Sequence, residues 1–217
     1  MTYYNDTTPN EDGGIITTDK FKVNPDAKKR IWVAENFYEN IDEVRNYALQ
    51  QWYFDDEGYE GLRTRKQFVF DGTKEKFESI MGKKITRFAD YYGMCGRFQS
   101  NKADMRPVWH CDSQEYAAVI YLTPDAPVEA GTGFYQHKAT KLRGGEPNIG
   151  EAFNGETWVD GTPYQQVDFV GNVYNRIVIW DAKLIHAAPI YFGWDINSSR
   201  LFHIFFFDSE DALYPGE

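Results

Sequence analysis

After residue 95 the chain repeats one pattern, and that pattern constrains the fold more than any other feature. GRFQS (96–100), YAAVIYL (116–122), GTGFYQH (131–137), RIVIW (176–180) and LFHIFFF (201–207) are separated by clusters of Gly, Pro, Asn and Asp. Short runs rich in β-branched and aromatic residues, bounded by turn formers, read as strands. Two helices precede them. NIDEVRNYALQQW (40–52) places Ile41, Val44, Ala48 and Trp52 on one apolar stripe, with Asn40 as N-cap and Glu43 at the capping-box position. TKEKFESIMG (73–82) is a second helix, stopped by Gly82. Upstream, GIITT, FKV and RIWVA between 15 and 38 read as further short strands. Helices followed by many closely spaced strands predict a mainly β architecture with flanking helices, an antiparallel sandwich.

A chain of 217 residues suits one sizeable domain. The polar, acidic residues 1–14 read as a flexible arm, which leaves 15–217 as a single domain. The long Gly-rich segment at 138–175 reads as a lid or binding loop. A net charge of −10 with no basic stripe excludes a nucleic-acid partner, which would need clustered Lys and Arg. Two cysteines, Cys95 and Cys111, do not make a disulfide scaffold, and no signal-like or membrane-spanning run is present. A soluble, cytoplasmic protein is expected. Oligomeric state is not legible.

Four histidines are present: His110, His137, His186 and His203. A lone histidine in a β-rich chain is more often packed or hydrogen-bonded than a ligand. His110 and Asp112 are set apart by spacing, because residues i and i+2 of a strand project from one face. A third ligand would complete two imidazoles and a carboxylate on one side of a metal, the donor set of non-haem Fe(II) sites with open positions. His186, just after RIVIWDAKL, is the best third ligand. His137 is the rival, a cavity-lining residue beside the expected lid. His203 alternates with apolar residues and reads as core. Arg200 opens the apolar strand LFHIFFF, where an unpaired charge is costly. Its partner is either a nearby carboxylate, Asp195 or Asp208, or the carboxylate of a ligand.

In order, His110-x-Asp112, YLTP (121–124), GTGFY (131–135), WDAKLIHAAP (180–189) and Arg200-Leu-Phe resemble the Fe(II)/2-oxoglutarate-dependent oxygenases. The nearest texture is the prolyl-4-hydroxylase-like branch, including its small single-domain members, and NFYENIDEVRNYAL (36–49) adds to it. The similarity spans roughly residues 30–207. The resemblance implies a double-stranded β-helix, the cupin-like jelly roll. It implies iron held by the catalytic residues His110, Asp112 and His186, with 2-oxoglutarate bound through Arg200 and with Tyr121 as a further donor to it. The implied reaction uses dioxygen to hydroxylate a small-molecule or peptide side-chain substrate, releasing succinate and carbon dioxide. Arg200 stands where this branch usually carries lysine, which argues against proline as substrate. Asp112 is retained, unlike in halogenating relatives.

The other polar and aromatic residues are weighed separately. Arg106 and Arg63 read as surface arginines or pocket residues, Cys111 as packing, and Asp181 as pinning a turn. Trp158, Tyr164 and Phe169 read as covering the substrate or fastening the loop. Two other functional classes remain open on sequence: a cupin-like metal enzyme without 2-oxoglutarate, and a non-catalytic jelly-roll binding module.

Overall fold

A computed structural model describes residues 20–25, 27–55, 60–153 and 159–210. The expected arm and the GIITT strand lie outside these residues. In chain order the elements are β1 (Ile31–Ala34), α1 (Ile41–Leu49), β2 (Tyr53–Asp55), β3 (Leu62–Thr64), α2 (Thr73–Met81), β4 (Ile85–Arg87), β5 (Arg97–Asn101) and β6 (Tyr116–Tyr121). They continue with β7 (Thr132–His137), β8 (Tyr164–Val170), β9 (Ile177–Asp181), β10 (His186–Ala187) and β11 (Arg200–Ser209). The larger sheet runs β1-β9-β6-β11-β5-β3-β2, with β4 beside β11; the smaller runs β10-β7-β8. All pairings are antiparallel. The mainly β architecture with flanking helices is present as expected.

Period-two alternation explains why two cores exist. On β6, β9 and β11, Tyr116, Ala118, Ile120, Ile177, Ile179, Leu201, Phe205 and Phe207 face α1 and α2 and pack with Ala48, Phe77 and Met81. Their alternates, Ala117, Val119, Tyr121, Val178, Trp180, Phe202 and Phe206, face the smaller sheet and meet Phe134 and Val170. Phe77 is fully buried, edge-on to Phe205 and tilted against Phe207. Burying one such ring stabilises the fold by about 2–3 kcal/mol.

His203 lies on the helix side, as expected of a core histidine, and is fully buried. Its Nε2 lies 2.9 Å from the Phe68 carbonyl and 3.1 Å from that of Gly96, so Nε2 carries the proton. Nδ1 is then the acceptor for the Tyr38 hydroxyl at 2.7 Å.

Several local expectations need correction. Helix α1 ends at Leu49, so Trp52 lies beyond it and is 77% exposed instead of continuing the stripe. Asn40 makes no side-chain cap bond; only its carbonyl is engaged, accepting from the Val44 N–H. Gly82 closes α2 as predicted, with φ +70°. Phe21 and Val23 are exposed and residues 21–23 form no strand. The described part of the expected long loop at 138–175 carries regular structure. Its residues 164–170 form β8, paired along β7, and Ile149–Phe153 form a short 3₁₀ helix. Tyr164 is buried, its hydroxyl donating to the Ala152 carbonyl at 2.9 Å, whereas Phe169 is 36% exposed and Trp158 lies outside the described residues.

Candidate metal centre

His110 and His186 are locked across from each other by two backbone bonds. His110 N–H donates to the His186 carbonyl at 3.1 Å, and His186 N–H donates to the His110 carbonyl at 2.9 Å. Residues directly opposite in an antiparallel pair share a face, and the two imidazole centroids lie 4.3 Å apart. The bridge makes His110 an extension of the smaller sheet beyond β10. Two residues on, Asp112 is fixed by its N–H to the Ala182 carbonyl at 2.8 Å. One donor atom from each of His110, Asp112 and His186 lies within 4.8 Å of the others, a group that could hold a metal ion.

The tautomers suit that use. His110 Nδ1 lies 3.2 Å from the Val108 carbonyl and His186 Nδ1 lies 2.8 Å from the Leu184 carbonyl. A carbonyl can only accept, so each Nδ1 carries a proton and Nε2 is the ring atom left to bind a metal. Both Nε2 atoms turn toward Asp112, at 3.7 Å from Oδ1 for His110 and 3.2 Å from Oδ2 for His186. His110 is 44% exposed by side chain, yet it stands between the cleft walls. Burial, with His186 beside it, lowers its pKa below the ordinary value, and Asp112 opposes that drop. Burial would raise the Asp112 carboxyl, but the two imidazoles outweigh it and hold it below the usual carboxylate range. The set therefore turns two imidazole nitrogens and a carboxylate oxygen toward one point.

These residues line a cavity of about 700 Å³, within the range of small-molecule sites. Trp180, Phe202 and Phe206 supply apolar wall, and Arg200 lines the same space. Arg200 is 4% exposed. Its Nε donates to the Ala130 carbonyl at 2.8 Å and Nη2 to the Gly131 carbonyl at 3.3 Å. The guanidinium lies over the rings of Phe202 and Tyr121, at 4.5 and 5.5 Å from their centroids. Burial lowers its pKa, and the Tyr121 and Tyr191 phenols oppose that. Among the described residues no carboxylate pairs with it. The two proposed protein partners are committed elsewhere: Asp195 caps its own turn at residues 197–198, and Asp208 accepts from Tyr92 and Arg87.

Other expectations fare unevenly. Tyr121 is fully buried behind the wall, its hydroxyl 2.8 Å from that of Thr132, so it braces Arg200 instead of entering the cavity. His137 is also outside the cavity wall; its Nδ1 pairs with Thr140 Oγ1 at 2.8 Å. Asp181 does pin its turn, accepting from the Lys183 N–H at 3.0 Å and from Arg30 Nε at 2.7 Å. Cys95 and Cys111 are both free thiols. Cys111 packs among Tyr135, Tyr164 and Ala187 but also touches the cavity, and burial pushes its thiol up to about 12. Arg106 is exposed, whereas Arg63 is 7% exposed and lines the cavity, the second of the two readings given for it. Sequence reasoning also missed Gln99, Asn101 and Tyr191 in the lining. Polar residues at alternate positions of the 97–101 run were the available signal.

Comparison with solved structures identifies the fold. HygX from Streptomyces hygroscopicus, with nickel and 2-oxoglutarate bound, superposes with a TM-score of 0.55 at 12% identity, covering 83% of each chain. A prolyl hydroxylase from Trichoplax adhaerens, in complex with a hypoxia inducible factor peptide fragment, gives 0.50 at 10% identity over 84% of each chain. SnoK, a non-heme alpha ketoglutarate dependent carbocyclase from nogalamycin biosynthesis, gives 0.50 at 13% identity, covering 82% of this chain and 79% of that one. The fold is thus the double-stranded β-helix of the Fe(II)/2-oxoglutarate-dependent oxygenases. No curated protein matches by sequence. A family model does match, over residues 20–201, and by that match the chain belongs to the family of unknown function DUF6445.

Proposed function

We propose that the protein is an Fe(II)- and 2-oxoglutarate-dependent dioxygenase that hydroxylates a small-molecule or protein side-chain substrate, with release of succinate and carbon dioxide. One observation carries this reading: a two-imidazole, one-carboxylate donor set shares a cavity with a buried guanidinium that no described carboxylate neutralises. His110, Asp112 and His186 would hold the iron, a donor set that leaves open positions for cosubstrate and dioxygen. Arg200 would take the far carboxylate of 2-oxoglutarate, exchanging an isolated buried charge for a charge-assisted pair. Iron and cosubstrate together supply the oxidising chemistry. The chain's own residues hold the donors in the correct tautomer through Val108 and Leu184, orient the cosubstrate, and exclude water with Trp180, Phe202 and Phe206. Residues 15–217 are read as one oxygenase domain. Among the described residues no helix is long and apolar enough to cross a membrane. The two free thiols support a reducing compartment, the cytoplasm.

The test is anaerobic. Metal-free protein receives Fe(II) and then 2-oxoglutarate while the visible spectrum is followed for the charge-transfer band of the chelate, with His186→Ala as control. The expected band needs both additions and vanishes in the variant. Well-folded protein that shows no band and binds no 2-oxoglutarate by calorimetry overturns the reading.

A further inference from the structure

The metal donors and Arg200 account for only part of the cavity; a second wall comes from β3, β5 and the chain before β3. Register places Gln99 beside Phe202 and Arg63, and Asn101 beside Arg200. Both amides line the cavity, at 6% and 1% exposure. The chain at residue 60 fastens them. Gln99 Nε2 and Asn101 Nδ2 donate to the Glu60 carbonyl at 3.1 and 3.3 Å, and Arg63 Nε donates to Gln99 Oε1 at 2.9 Å. This approach depends on Gly61, whose φ is +111° and where a Cβ would stand 2.6 Å from Asn101 Nδ2 and 2.8 Å from Gln99 Nε2. Glu60 also lines the wall, and Tyr191 completes it. Among the described residues no group hydrogen-bonds the Tyr191 hydroxyl. Burial raises its pKa, with Arg200, Glu60 and Arg63 close enough to act on it.

Such a wall selects by chemistry. An apolar group pressed against it would strip water from the Tyr191 hydroxyl and the Glu60 carboxylate and give nothing back, at a cost of about 1–3 kcal/mol per neutral group left unpaired and more for a charge. Hydroxyl and amino groups would replace that water. A site built to hydrogen-bond its substrate therefore rejects analogues that lack the polar groups. With Arg200 given to 2-oxoglutarate and Asp112 to the metal, Glu60 is the carboxylate left on this wall while Arg63 is engaged by Gln99 and the Glu60 carbonyl, and the chain's charge of −10 favours cations further. A cavity of about 700 Å³ is of small-molecule size. We propose that Glu60, Gln99, Asn101 and Tyr191 form the subsite for the primary substrate, and that this substrate is a small molecule carrying several hydroxyl groups and at least one amino group.

The proposal rests on the oxygenase reading, and the experiment separates the two. Protein loaded anaerobically with Fe(II) is first titrated with 2-oxoglutarate by calorimetry. It is then examined by saturation-transfer NMR with glucosamine, myo-inositol and N-acetylleucinamide at millimolar concentration. Glucosamine is expected to bind best, myo-inositol more weakly, and the leucinamide not at all. Tyr191→Phe removes a hydroxyl that no described group uses, so folding is not at stake; it should weaken glucosamine at least about fivefold while leaving 2-oxoglutarate affinity unchanged. Glu60→Gln should abolish the preference for glucosamine over myo-inositol. Binding of the leucinamide as well as glucosamine, no binding of either hydroxylated probe, or indifference to both substitutions overturns the subsite. Failure to bind 2-oxoglutarate in the first titration overturns the oxygenase reading instead.

Discussion

Replacing Arg200 with methionine separates what this residue does for the fold from what it does for a ligand. In the ligand-free protein the substitution removes two hydrogen bonds, to the Ala130 and Gly131 carbonyls, worth about 1 kcal/mol each. It also removes a buried charge that no described carboxylate neutralises, and desolvating such an ion costs several kcal/mol. Methionine keeps an unbranched stem against Phe202 and Tyr121. The two effects oppose each other, so ligand-free stability is expected to stay within about 1 kcal/mol of wild type or to rise. Cosubstrate binding should change far more. Breaking a buried, hydrogen-bonded charge pair costs about 3–5 kcal/mol, which is a loss of affinity between about a hundredfold and a few thousandfold. Urea denaturation without ligands measures the first quantity, and calorimetric titration of metal-loaded protein with 2-oxoglutarate measures the second. If Arg200→Met loses several kcal/mol of stability but binds 2-oxoglutarate normally, Arg200 is a structural clamp on the 130–131 turn and the argument fails.

Two further predictions concern the scaffold. Burial pushes the His203 pKa down to about 3, whereas the unfolded chain titrates near 6.5, so unfolding takes up a proton between these values. The stability this group contributes is complete above about pH 6.5 and is lost as pH falls toward 3, at up to about 1.4 kcal/mol per pH unit. His203→Gln should flatten that dependence between pH 7 and pH 4.5; identical slopes in the two proteins would remove His203 as its source. Gly61→Ala must adopt φ +111° and displace the amides of Gln99 and Asn101, a strain of about 1–3 kcal/mol. Urea midpoints read it directly, and an alanine variant as stable as wild type would show that the Glu60 carbonyl does not need its close approach.

What was legible in the sequence follows from how strongly each segment is patterned. The runs that became β5, β6, β7, β9 and β11 have one face against the helices or the other sheet, so their composition carries the strand signal. The run that became β8 carries none. Gln165 to Phe169 are all exposed and only the terminal Tyr164 and Val170 are buried, so hydrophobicity does not alternate and the segment reads as loop. Strand β10 is two residues long and exists through its pairing with β7 and His110. The metal-site candidates were readable because chemistry restricts their residue types. Most of the polar wall was not: Arg63, which could be read either way, sits on a three-residue strand whose inward face is set by distant pairing with β5. Tyr121 was read correctly as lying on the strand after the His110-x-Asp112 turn, but neighbouring side chains decide whether a residue enters a cavity or backs it.

Strand β11 is a partition wall with separate tenants on its two sides. Arg200, Phe202, Ile204 and Phe206 face the cavity, while Leu201, His203, Phe205 and Phe207 take part in the helix-side core. Substitutions at the even positions can reshape what the cavity accepts while the odd positions go on holding the helices. Within a family of shared architecture, that separation offers a route to divergent substrate preference at little cost to folding. The same arrangement forbids single-residue insertions or deletions there, since either would exchange the two sets and lose cavity and core together.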